Sequence, residues 1–110
     1  MIDVQALVNK HYDELVALRR YFHENPELSN VEDETCEYIQ KKLEEYGLRT
    51  EVVPHGGVFG FIENGPGKTV LLRTDIDALP IQEADTNLSQ KRACVSKKPG
   101  VMHACGHDGH

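Results

Sequence analysis

The 110-residue sequence predicts an α/β fold in which two N-terminal helices pack on a small mixed sheet. Three patterns point there. Apolar residues recur at helical spacing near the start. A second such stripe opens at a serine–glutamate signal and stops at a glycine. Three β-prone runs then follow, punctuated by clusters of glycine and proline.

The first helix is expected from about Val4 to His23, with Val4, Leu7, Val8, Leu15, Leu18 and Phe22 forming one stripe. Arg19 and Arg20 place positive charge near its C-terminal end, where the helix dipole favours it. Asn25-Pro26 stops it, because the residue before proline is pushed out of helical geometry. His23, at that end, reads as a capping or packing residue. Ser29-Asn30-Val31-Glu32 has the form of a capping box, and the helix it opens carries Val31, Thr35, Ile39 and Leu43 at intervals of four. Gly47 suits a left-handed C-cap, and Cys36 reads as a small core residue.

Leu48–Val53 and Val58–Glu63 are short β-prone runs joined by Pro54-His55-Gly56-Gly57, which predicts a hairpin with His55 as a surface turn residue. Asn64-Gly65-Pro66-Gly67 closes the second run. Thr69-Val70-Leu71-Leu72 is continuously apolar, as expected of a strand buried on both faces. Arg73-Thr74-Asp75-Ile76-Asp77 follows at once, so two carboxylates stand at the carboxyl end of a strand, where α/β folds gather ligands. Buried acids there need a cation or a hydrogen-bond network. At least one is read as functional; the alternative is that one caps a turn while the other pairs with Arg73. Residues 81–98 are polar and aperiodic, a loop long enough to be functional or disordered, with Cys94 not expected to bind metal.

Composition narrows the partners. A formal charge of -6 argues against nucleic acid, since phosphate binding needs a concentrated basic face. The one basic cluster, Lys91-Arg92 with Lys97-Lys98, reads as solvated surface. No apolar run approaches the roughly 20 residues of a membrane span, and no signal peptide opens the chain. Three cysteines in such a chain read as reduced thiols of a cytoplasmic protein.

The chemistry concentrates in His103-Ala104-Cys105-Gly106-His107-Asp108-Gly109-His110, which holds three of the six histidines. Thiolate and imidazole are ligands that zinc prefers, and Cys105 and His107 would project to one side of an extended segment. A catalytic zinc takes three protein ligands plus water. The stretch therefore reads as the front part of a metal-dependent hydrolase cut before its site is complete.

Three blocks together resemble one family: Arg19-Arg20-Tyr21-Phe22-His23-Glu24-Asn25-Pro26-Glu27-Leu28-Ser29, Leu72-Arg73-Thr74-Asp75-Ile76-Asp77-Ala78-Leu79-Pro80-Ile81-Gln82-Glu83, and Val101-Met102-His103-Ala104-Cys105-Gly106-His107-Asp108-Gly109-His110. The family is that of hippurate hydrolase and the N-acyl-amino-acid amidohydrolases, including auxin-conjugate hydrolases and N-acetyldiaminopimelate deacetylase. The resemblance implies that residues 1–110 are the N-terminal part of a di-metal exopeptidase-like catalytic domain, without the lid or dimerisation domain. It assigns metal binding to Cys105 and His107 and an orienting, catalytic role to Asp75, with Arg73 in the place of a family histidine. The implied cofactor is a divalent metal (zinc, manganese, cobalt or nickel), with two ions in the complete enzyme. The stretch from Ala84 to Val95 departs from the family's short connection, and the family's Glu-Glu pair and further histidine ligands are not in this sequence.

The implied reaction is hydrolysis of the amide bond of N-acyl amino acids, small-molecule substrates, by a water that a metal activates and a glutamate deprotonates. Glu83 lies near the motif, but no glutamate is singled out as that base, so the chain is expected to be inactive by itself. The alternative is a non-catalytic module in which His103, Cys105, His107 and His110 close around one ion. An apolar strand without neighbours would leave an unpaired edge and an exposed face, favouring homo-oligomers or aggregation.

Overall fold

Residues 1–110 are described by a computed structural model. Its helices are α1 (Val4–Lys10), α2 (Tyr12–Glu24) and α3 (Asp33–Glu45); its strands are β1 (Arg49–Val53), β2 (Gly57–Phe61), β3 (Thr86–Asn87) and β4 (Gln90–Lys91). A single 3₁₀ turn spans His107–Gly109. The class is mixed α/β, as the patterning predicts.

Helical periodicity holds from Val4 onward, but the expected single helix is two. The break is at His11, whose ψ of 8° leaves the helical range. Asp3 caps α1 by accepting the Ala6 N–H at 3.0 Å. At α3 the predicted capping box does not form: the helix starts at Asp33, and its N-cap Glu32 makes no side-chain cap bond. Glu27 takes over from outside, accepting the Thr35 N–H at 2.5 Å and the Thr35 hydroxyl at 2.6 Å. A carboxylate near the start of a helix is favoured by the helix dipole, so this tie is also electrostatically sound. The C-terminus ends as Gly47 predicts. Gly47 has φ 81°, its N–H donates to Glu44, and Leu48 N–H reaches back to Leu43, completing a Schellman motif.

β1 and β2 form the expected antiparallel hairpin, Arg49 opposite Phe61 and Val53 opposite Gly57, with His55 at φ 57° in the turn. α3 lies on it through Leu43. A Cβ at Gly60 would come within 3.0 Å of Leu43 Cδ1, so glycine permits this close approach. On its other side α3 meets α2 through Tyr38, stacked on Tyr21 at 3.7 Å with Phe22 edge-on at 5.5 Å.

A further expectation is overturned. Thr69–Leu72 forms no ladder, and Val70, Leu71 and Leu72 are 90%, 75% and 88% exposed. A strand buried on both faces needs neighbours to bond and cover it, and no strand of these residues lies beside it: β1 pairs with β2, and β3 with β4. The 81–98 segment is not featureless either, since β3 and β4 make a tight hairpin within it. No helix is long and apolar enough to cross a membrane.

Past the apolar stretch the chain is caught between two others. Ala78 N–H donates to Glu27 at 2.8 Å, while Leu79 and Met102 exchange bonds of 2.9 and 3.1 Å. One contact is a parallel bridge and the other antiparallel. This juncture brings together the end of α2, the Asp75–Asp77 segment and the C-terminal motif. Few residues are buried, and most of these are polar: Ala78 and Pro26 are joined by His23, Thr35, Glu83, His103 and Asp108. The radius of gyration is 16.1 Å, against about 13 Å for a compact chain of this length. Polar ties therefore hold the juncture where an apolar core would be expected.

Candidate metal centre

The carboxylate of Asp75 and ring nitrogens of His107 and His110 lie within 4.8 Å of one another. The 3₁₀ turn brings the two histidines to one side, with rings stacked at 5.1 Å, and Gly106, at φ 85°, makes the left-handed turn into it. Asp75 arrives from the extended segment opposite. Its carboxylate accepts from Arg73 at 2.8 Å, and its own N–H donates to His110 Nδ1 at 3.4 Å.

Asp77 supports the trio from behind. Its Oδ1 lies 2.8 Å from His107 Nδ1, and its carbonyl oxygen 3.1 Å from the same atom. With Nδ1 taken up, Nε2 is the nitrogen left for an ion, the carboxylate–histidine arrangement that metal sites use to fix tautomer and ring orientation. The hydrogen bond to Asp77 holds His107 above the usual imidazole range. Burial pushes the Asp77 carboxyl up, but hydrogen bonds from His107 and from its own backbone reverse this and leave it low. One carboxylate and two imidazoles, oriented by a second carboxylate, suit a divalent ion of the zinc or manganese kind.

Of the residues singled out from sequence, Asp75 and His107 meet. Cys105 is exposed and stands outside the trio. Among the four residues of the module reading, only His107 and His110 share this site, while His103 is buried and its Nδ1 has no partner. Burial holds His103 below the usual imidazole range.

Sequence reasoning missed the layer beneath. His23 is buried between two acids, with Nδ1 2.7 Å from Asp108 Oδ2 and Nε2 2.7 Å from Glu83 Oε1. It donates to both only when each nitrogen carries a proton. Arg19 Nε lies 3.1 Å from Asp108, Arg92 donates to Glu83 at 3.0 Å, and Ser96 N–H donates to Glu83 at 2.6 Å. Asp108 is the neighbour of His107, so the network anchors the loop that carries His107 to the end of α2. A signal was present: Arg19 and His23, Glu83, and Asp108 fall one set in each of the three blocks that carry the family resemblance. His23 is therefore no helix cap. Glu83, its carboxylate fully engaged, is not free to act as a general base. Cys94 lies against the Arg20 carbonyl and Glu24, each 3.6 Å away, and burial pushes its thiol up.

Comparison with known proteins shows what the chain is similar to. Residues 71–110, which hold the trio, match the model of peptidase family M20/M25/M40. An N-acyl-L-amino acid amidohydrolase of Geobacillus stearothermophilus is 38% identical over 98% of this chain and 28% of its own length. The hippurate hydrolase of Campylobacter jejuni is 46% identical over 88% of this chain and 24% of its own. The crystal structure of the Bacillus subtilis YXEP protein, described as a dinuclear metal binding peptidase from the M20 family, superposes with a TM-score of 0.79. It is 40% identical, covering 91% of this chain and 28% of that one. The chain thus spans about a quarter of the length of the curated relatives it matches.

Proposed function

We propose that this chain belongs, over the stretch it spans, with the amidohydrolases of peptidase family M20/M25/M40 and supplies the metal-binding front of an amidohydrolase catalytic domain acting on N-acyl amino acids. The observation that carries this reading is the Asp75–His107–His110 trio with Asp77 behind His107. Asp75, His107 and His110 would hold a divalent ion, with the exposed Cys105 thiol available as a further ligand. Such an ion supplies polarisation of an amide oxygen and a bound water of lowered pKa.

The chain's own residues do the positioning. Asp77 fixes which nitrogen His107 presents, and Arg73 fixes the Asp75 carboxylate. The His23–Glu83–Asp108 network holds the loop that carries His107. No glutamate stands free beside the trio to take a proton from water, so hydrolysis is not expected of these residues by themselves. The names of the relatives, hippurate hydrolase and N-acyl-L-amino acid amidohydrolase among them, support an acylated amino acid as the substrate class.

The test is metal binding with an activity control. Equilibrium dialysis against zinc, manganese, cobalt or nickel should show binding that His107→Ala abolishes and Asp77→Ala weakens about 10- to 100-fold. Release of an amino acid from acetyl- or benzoyl-amino acids should stay at background. Binding indifferent to both substitutions would overturn the reading. Binding lost with His103→Ala but untouched by Asp75→Ala would favour the closed module.

A further inference from the structure

Behind the loop that carries His107, between the last turns of α2 and the β3–β4 hairpin, lies a cavity of about 390 Å³ that holds none of the Asp75–His107–His110 trio. Arg19 and Arg20 line it from the helix, Lys91 and Arg92 from the hairpin, and Asn87 and Gln90 add amide groups. No acidic side chain lines it, in a chain whose formal charge is -6. The sequence shows two separate basic pairs, 71 positions apart by their numbers (Arg20 to Lys91), and only the fold makes them one surface.

The four cations are not equivalent. Arg19 and Arg92 are tied to the buried acids Asp108 and Glu83, at 3.1 and 3.0 Å, yet their side chains remain 48% and 33% exposed. The salt bridges that include Arg19 and Arg92 include neither Arg20 nor Lys91. Two guanidinium groups set in place by buried partners, with two unpaired cations beside them, form a preorganised receptor for a compact, multiply charged oxyanion. The space falls in the range of small-ligand sites and exceeds the roughly 30 Å³ share of one water.

We propose that this cavity binds a phosphate group, either the free dianion or the phosphate of a small ester. A phosphate ester carries a charge of about -1.5 to -2 at neutral pH, which answers the two cations left unpaired, and guanidinium forks match its oxygens. None of its lining residues belongs to the Asp75–His107–His110 trio, so phosphate binding can be tested without the ion; His23, which also lines the cavity, is shared with the network that holds the His107 loop.

The experiment is titration of the 110-residue chain with inorganic phosphate and, separately, with glycerol phosphate, followed by amide chemical shifts and calorimetry. A chelator is kept throughout, so that phosphate cannot act through an ion at Asp75. Saturable binding with shifts at Arg19–His23 and Asn87–Cys94 is expected. Arg20→Gln with Lys91→Gln should weaken it at least tenfold; both side chains are exposed and take no part in the buried network, so the fold should survive, which circular dichroism checks. Lys97→Gln, outside the cavity, should leave binding unchanged. A tighter ester than free phosphate identifies the ester as the ligand, and equal affinities identify the free anion. Absence of saturation at about 10 mM, tenfold above a Kd of about 1 mM, would overturn the proposal. So would an equal response to chloride at matched ionic strength, or indifference to the double substitution.

Discussion

The α3–hairpin unit and the juncture beneath the His107 loop are held by different forces. In the first, Leu43 rests on Gly60, Tyr38 stacks on Tyr21, and the ladder of β1 and β2 runs in continuous register. These contacts are short-range or set by apolar periodicity. At the juncture, Glu83 and Asp108 reach His23 across separations of 60 and 85 residues, and what is buried is charge. Apolar contacts tolerate imperfect neighbours, because dispersion is non-directional and gained piecemeal. A buried acid without its partner has no such latitude, because it loses both its hydration and its compensation. The part of the molecule nearest the chemistry is therefore the part most easily undone by a single change.

The sharpest way to break this comparison is His23→Ala. It leaves Glu83 and Asp108, with side chains 2% and 3% exposed, without the ring that bridges them. The expected loss is about 3–5 kcal/mol, seen in urea titrations as early disappearance of native amide peaks from residues 83–108. Peaks from Gly57–Phe61 should persist to higher urea. If both sets vanish together, the two regions form one cooperative unit and the contrast fails.

A smaller effect comes with pH. Burial raises the Glu83 carboxyl, but the Ser96 N–H, His23 and Arg92 together outweigh it and hold the group below its ordinary value of 4.5. A carboxyl depressed in the folded state contributes stability that is complete above that ordinary value and is lost as pH falls through the folded one. Acidification from pH 7 to 3 should loosen the juncture while the hairpin signals hold, and Glu83→Gln should flatten that dependence. A pH profile identical in the variant would remove Glu83 from the account.

The smallest effects test the helix end. Glu27→Ala should cost about 1 kcal/mol, the usual worth of a lost cap, because both Thr35 bonds disappear. Lys42→Gln, breaking an exposed pair with Glu45 at 3.1 Å, should change stability by under about 0.5 kcal/mol. Thermal unfolding of the two variants side by side ranks them.

Much of this was legible in the residues themselves. Periodicity and the Asn25-Pro26 stop placed the end of the second helix, and Gly47 its successor's C-cap, because helix ends are decided by backbone geometry within a few residues. The Pro54–Gly57 turn decided the hairpin for the same reason. The three blocks carried the resemblance to the amidohydrolases.

Long-range geometry decided the rest. Asp75 and Asp77 are alike in sequence, but only the fold sets one among the histidines and the other behind His107. Glu27, not Ser29, serves α3, because the chain brings the longer carboxylate to Thr35. The apolar Val70-Leu71-Leu72 announces a strand, yet a strand exists only beside another, and composition says nothing about whether a neighbour is there. His23 looks like a helix-end residue until two acids from distant blocks arrive on either side of it. Sequence by itself determined what each segment is disposed to be, since those preferences are local; which charges meet was left to tertiary structure, since a charge takes its meaning from its neighbours in space.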